Sequence, residues 1–185
     1  DTTFLLVSHR PGSLLPTIKS RCFQVALRPI GNEDVAGVLM ANKPETTPDA
    51  LERAVSFANG RPRRGFEALM LGDGGALAAL AGYLRDPAAA PNSARIALAD
   101  QLGGDRDSAE LRFARDMLND WIAAAATAAA TSGDRARLAS ANELWDKAQL
   151  SLADADEYNL DMRQTLVALL DAIRKHQLLS VAPAS

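Results

Sequence analysis

Apolar residues recur along this chain in two different rhythms. Near the start, Phe4-Leu5-Leu6-Val7 is an unbroken apolar run and Cys22-Phe23-Gln24-Val25-Ala26-Leu27 alternates. Both patterns predict short strands. Between them Pro11-Gly12-Ser13 predicts a turn, and Leu14 to Lys19 one or two helical turns. Strand, turn, short helix, strand is part of an α/β unit. Two strands alone are marginal in water, so the rest of their sheet is expected upstream, in a longer protein of which this chain is a piece.

After Pro29 the period becomes helical and stays so. Asn32 is placed to cap a helix carrying Val35, Val38, Leu39 and Met40. Thr47 caps the next, with Pro48 at its first position and Leu51, Ala54, Val55 and Ala58 on one face. Asn59-Gly60 stops it, and a third helix runs from about Pro62 to Leu71. These three predict a small bundle. Gly72-Asp73-Gly74-Gly75 then reads as a linker. Beyond it the spacing predicts longer, alanine-rich helices over about 76–85, 92–102, 106–131, 134–153 and 159–179. In the third of these, Leu111, Ala114, Leu118, Trp121, Ile122 and Ala125 form one apolar stripe. Leu166, Leu169, Leu170 and Ile173 form another in the last, and Pro183 marks a frayed tail. The expected architecture is mostly α: an α/β remnant over 1–28, a three-helix unit over 29–72 and a helical bundle over 73–185.

Composition narrows the function classes. The chain has 185 residues, of which 48% are hydrophobic and 23% charged, unlike a disordered polypeptide. No run of about 18 uncharged apolar residues exists to span a bilayer, and no membrane partner is expected. Its one cysteine and two histidines, His9 and His176, offer no metal-ligand spacing, so no metal is expected. A net charge of −3 gives no global attraction to nucleic acid, which leaves local patches.

Nothing in the sequence assembles an active site. There is no phosphate-cradling Gly-x-x-x-x-Gly-Lys-Ser/Thr loop and no histidine beside a nucleophile. One constellation stands out: Ser20-Arg21-Cys22, at the junction of a short helix and a strand. An arginine there can project its planar guanidinium toward phosphate oxygens on a neighbouring molecule, as arginine fingers do in ATPases. Arg61, Arg63 and Arg64, with Lys19 and Arg21, make a local basic set. Cations at a helix N-terminus oppose the helix dipole, and their presence there suggests a ligand.

From Phe4 to Leu27 the sequence FLLVSHRPGSLLPTIKSRCFQVAL resembles the end of the AAA+ ATPase domain of bacterial sliding-clamp loader subunits, most specifically the delta prime family. The stretch Leu14-Leu15-Pro16-Thr17-Ile18-Lys19-Ser20-Arg21-Cys22 carries the likeness. The resemblance implies that Arg21, with Ser20 and Cys22 as its motif, is an arginine finger directed at ATP on the adjacent subunit. It also implies sensor 1-like positions at Ser8 and His9, where ATP-binding paralogues carry threonine or asparagine. Ala58-Asn59-Gly60-Arg61-Pro62-Arg63-Arg64-Gly65 resembles the start of a sensor 2 helix, with Arg63 first and Arg64 second as candidates. By the same resemblance, 29–72 is a lid and 73–185 an oligomerising collar in a heteropentameric, cytoplasmic complex. The implied partners are gamma/tau and delta subunits, the sliding clamp and primer-template DNA. No cofactor is expected in this piece, ATP being held by a neighbour. No catalysis is expected from the chain alone, which would be an accessory subunit of a DNA-directed DNA polymerase. A gamma/tau-type ATP-binding subunit and a helical scaffold without a nucleotide role remain as alternatives.

The other chemistry-bearing residues have plain readings. Cys22 is expected to be a buried small hydrophobe opening a strand. Trp121 and Trp145 are expected to be core or interface anchors. His176, in the last turn of the final helix, is expected to interact with the helix dipole as a cation.

Overall fold

The helices expected after Pro29 are all formed, with several ends shifted by a few residues. A computed structural model describes residues 2–8, 14–72 and 75–179, and contains nine helices among them. A single turn, α1 (Pro16–Lys19), precedes the group α2 (Asn32–Asn42), α3 (Pro48–Ala58) and α4 (Pro62–Leu71). The larger bundle comprises α5 (Gly75–Arg85), α6 (Asn92–Leu102), α7 (Ala109–Ser132), α8 (Arg135–Glu157) and α9 (Met162–Leu179).

Local chemistry sets the ends of these elements. Gly31 is the N-cap of α2 in extended geometry, so Asn32 is its first residue rather than its cap. Thr47 caps α3 as expected: its hydroxyl accepts from the Ala50 N–H at 3.4 Å, and Pro48 follows with no N–H to leave unpaired. Asn59 (φ 47°) and Gly60 (φ 73°) then turn the chain through the left-handed region into α4. Within the group, α4 approaches α2 so closely that a Cβ on Gly65 would lie 2.9 Å from Leu39 Cδ1. Val35, Leu39, Ala54, Ala58 and Ala68 are buried between the three helices.

In the bundle, Gly133 (φ 73°) ends α7, and the Asp134 carboxylate accepts from the Arg137 N–H at 3.0 Å to start α8. The two long helices therefore run antiparallel. The α7 stripe is buried at Leu111, Ala114, Leu118 and Ile122. On α8, Ala141, Leu144, Ala148, Leu152 and Ala155 alternate small and large side chains on one face, and all are buried. Alanine at every seventh position brings the backbones together, so few aromatic rings are needed to fill the core. Met162, Leu166, Leu169, Leu170 and Ile173 carry α9 onto α8 and α6. Each fully buried Leu or Ile contributes about 1.5–3 kcal/mol of burial free energy.

Two tethers use polar tips of large side chains. Trp121, half-buried, donates its indole N–H to the Leu84 carbonyl at 2.8 Å, and Tyr83 donates its hydroxyl to the Leu170 carbonyl at 2.8 Å. Trp121 is thus a core anchor, whereas Trp145 is 40% exposed.

His176 corrects its expected role as a dipole-stabilising cation. It is buried, its Nδ1 lies 2.9 Å from the Ser140 hydroxyl, and its ring meets Trp121 edge-on at 6.0 Å. Burial, with a smaller contribution from the nearby Arg137 charge, holds its pKa below the ordinary 6.5. The unfolded chain therefore takes up a proton that the folded one resists, so stability falls as pH drops below about 6.5. Between pH 6.5 and 5 the melting temperature is expected to decline, and His176→Gln should flatten that decline; an unchanged slope would remove the assignment.

The expected strands are not formed. Residues 2–8 and 23–31 contain no strand in the described structure, so the α/β remnant consists of α1 flanked by irregular chain. Phe4, Leu5, Phe23 and Leu27 are each more than 80% exposed. A strand needs the N–H and C=O groups of a neighbour, and neither segment finds one among the described residues. The Ile30 N–H, which donates to the Gly60 carbonyl at 2.9 Å, ties the end of this region to the α3–α4 turn. Cys22 is accordingly an exposed free thiol, not a buried hydrophobe.

Candidate functional site

Arg21 stands immediately beyond α1. Pro16 starts that turn, the Ser20 hydroxyl closes it by donating to the Thr17 carbonyl at 3.2 Å, and the Arg21 N–H donates to the Ile18 carbonyl at 3.1 Å. Ser20, Arg21 and Cys22 are all exposed, and no ion pair engages Arg21 among the described residues. A guanidinium so placed can donate hydrogen bonds to phosphate oxygens of another molecule. Ser8 is exposed in the irregular N-terminal stretch; His9 lies outside the described residues.

The basic set divides at α4. Arg63 is exposed and pairs with Glu67 one turn on, Nε to Oε1 at 2.9 Å. Arg64 is buried, pairs with Asp120 of α7, and stacks its guanidinium 5.1 Å from the centre of the Phe113 ring. Arg61 Nη1 donates to both oxygens of Asp120 at 3.0 and 3.2 Å, and Asn59 Nδ2 donates to it at 3.1 Å. The anion expected at the N-terminus of α4 is thus found within the chain itself. Partial burial pushes the Asp120 carboxyl up, but the hydrogen bonds from Asn59 and Arg64 and the charges of Arg64 and Arg61 outweigh it, holding the pKa below 3.8.

Asp120 escaped the sequence reading because it stands one position before Trp121, off the main stripe of α7. The available signal was a second row, Phe113, Met117 and Asp120, spaced four and three residues apart beside that stripe. Those spacings place an aromatic ring and a carboxylate on one face, suited to receiving an arginine.

Elsewhere, α5 and α6 enclose a groove of about 430 Å³ lined mainly by Ala79, Gly82, Ala90, Ala94 and Leu98. Its ionisable groups are Tyr83, whose hydroxyl is already engaged, and Asp86. No cluster of three or more His, Cys, Asp or Glu is placed to hold a metal among the described residues. No described helix is long and apolar enough to cross a membrane.

No family model matches the chain, and no solved structure matches it. A curated relative does: DNA polymerase III subunit delta′ of Pseudomonas aeruginosa is 42% identical over 62 residues. The match covers 34% of this chain and 19% of the length of that protein. The likeness seen in the Ser-Arg-Cys stretch therefore agrees with an independent comparison: over a third of its length, the chain is similar to part of a DNA polymerase III delta′ subunit.

Proposed function

We propose that this chain is the C-terminal part of a delta′-type clamp-loader subunit, acting in the cytoplasm. In this reading Arg21 reaches across a subunit boundary to the ATP of its neighbour. The bundle of α5–α9 joins a collar with gamma/tau and delta subunits, and the assembled ring places a sliding clamp on primer-template DNA. The observation that carries the proposal is the exposure of Arg21 within Ser20-Arg21-Cys22, directly after the one-turn helix. The 42% identity to a delta′ subunit supports the same assignment.

The exposed apolar run from Phe4 to Val7 and the side chains of Phe23, Val25 and Leu27 fit this reading. In the assembled subunit these side chains would be covered by other parts of an α/β domain. The chain contributes charge and geometry to a reaction whose nucleotide is bound elsewhere, so it is an accessory subunit rather than an enzyme by itself.

The test uses the full-length subunit in the assembled complex. Arg21→Ala should leave ring assembly intact while slowing DNA-stimulated ATP turnover. Unchanged turnover removes the finger assignment, and failure of the α5–α9 bundle to bind the partner collars removes the collar role.

A further inference from the structure

Positive charge gathers in the bundle where the start of α6 packs against the last turns of α9. Asp171 of α9 accepts from Lys175 one turn on, Oδ2 to Nζ at 3.0 Å, and its Oδ1 lies 3.5 Å from Arg95 Nη2 of α6. Arg174 is near enough for its charge to act on the same carboxyl and on the Tyr83 hydroxyl, as that of Arg95 does. The Lys175 hydrogen bond, opposed by slight burial and helped by the charges of Lys175, Arg95 and Arg174, holds the Asp171 carboxyl below 3.8. Three cations thus share one carboxylate, and no second carboxylate pairs with any of them among the described residues. The negative end of the α9 dipole offsets only about half a unit charge, so more than one positive charge remains. Donors are left over as well: Arg95 Nη1 and Arg174 Nε are buried without a hydrogen-bond partner. Such unfilled N–H groups are the kind that a bound ion completes.

We propose that Arg95, Arg174 and Lys175 form an oxyanion site on the bundle that takes a phosphate group, either free or as the phosphodiester of a nucleic-acid strand. The donor set selects that ligand. Two planar guanidinium groups present forked N–H donors that match the edges of a phosphate, and the ammonium adds a point charge. A carboxylate, with two oxygens in one plane, cannot meet three cations carried by two helices, whereas the tetrahedral oxygens of a phosphate can. Asp171 keeps Arg95 and Lys175 together beforehand, so little side-chain freedom is lost on binding. Solvent reaches the cluster, since the Lys175 and Asp171 side chains are 76% and 34% exposed, while Arg95, at 12%, is already held in place. The site shares no residue with Arg21 or with the arginines of α4, and it does not rest on the clamp-loader reading.

Heteronuclear NMR of the chain reads the site directly. Sodium phosphate should shift the Arg95 and Arg174 Nε–Hε resonances and the backbone amides of 171–176, and sodium chloride at equal ionic strength should do so much less. A fluorescein-labelled oligothymidylate, followed by anisotropy and by the same resonances, separates the two sources. Movement of the cluster by the oligonucleotide assigns the phosphodiester of a strand; movement by phosphate alone assigns a free phosphate. Lys175→Glu should weaken binding about tenfold, as for loss of one hydrogen bond between charged groups. Lys147→Glu, the same change of charge at an exposed position on α8, should weaken it far less. Cluster resonances unmoved by both phosphate and oligonucleotide overturn the site, as do equal losses in the two variants. The phosphate arm uses the unaltered chain, so it decides the question even if a variant fails to fold.

Discussion

If Arg21 has the proposed finger role, Arg21→Ala is expected to slow ATP turnover at the adjacent subunit by about 10³-fold in the assembled complex, the lower end for loss of an arginine finger. The magnitude follows from what the side chain would do. Charge develops on the transferring phosphoryl group, and a guanidinium already held in place stabilises it without reorganisation of solvent. Arg21→Lys should recover little of the loss, because an ammonium keeps the charge but lacks the planar fork. Assembly should be untouched, since Arg21 is exposed and forms no part of the core. Steady-state turnover with primed DNA and clamp, measured beside size-exclusion chromatography of the complex, separates catalysis from assembly. A Lys variant as active as wild type would point to simple charge attraction instead of a finger.

The largest effect on folding is expected at Gly60. Its φ of 73° lies where a Cβ is strained, and a Cβ built there would stand 2.5 Å from Pro29 Cβ and 2.7 Å from the Ile30 carbonyl oxygen. Relief by moving the 29–30 segment would disturb the hydrogen bond from the Ile30 N–H to the Gly60 carbonyl. Left-handed strain of about 1–2 kcal/mol and overpacking of about 1–3 kcal/mol together give a loss near 3 kcal/mol for Gly60→Ala, read from urea unfolding. Gly133→Ala is the matched control. It has the same φ of 73° but open space around the missing Cβ, so it should lose only the strain. Equal losses at the two sites would show that the crowding against residues 29–30 has no energetic weight.

Much of the helical architecture was legible because its signals are local. Thr47-Pro48 and Asn59-Gly60 bracketed α3, and Asn92–Leu102 matched its apolar spacing to the residue. Boundaries slipped where a capping side chain outranked periodicity. Helix α7 begins after Ser108, whose hydroxyl accepts from the Leu111 N–H at 3.1 Å, and not near residue 106. Asp161, accepting from the Arg163 N–H at 2.9 Å, likewise sets the start of α9 at Met162.

The failures share a cause. Strands at Phe4–Val7 and Cys22–Leu27 were inferred from side-chain pattern, yet a strand exists only with partners, and pattern alone does not supply them. The basic character of α4 suggests a ligand from sequence, whereas in the structure Arg61 and Arg64 pair with Asp120 of the same chain. That pairing was missed because Asp120 lies 56 residues from Arg64 in sequence. Arg21, by contrast, stands in a contiguous motif, and its exposure next to α1 is a local property of one turn.

The tight α7–α8 connection also bears on how the chain folds. Two residues, Gly133 and Asp134, join helices of 24 and 23 residues, so their interface closes over almost no loop. Closing short loops loses little chain entropy, and contacts between near neighbours form fast. The hairpin is therefore the natural nucleus of the bundle, a platform that can zip from Gly133 outward before α9 arrives. In synthesis from the ribosome, α5 and α6 would already be present when that platform forms, and α9 would pack onto it afterwards.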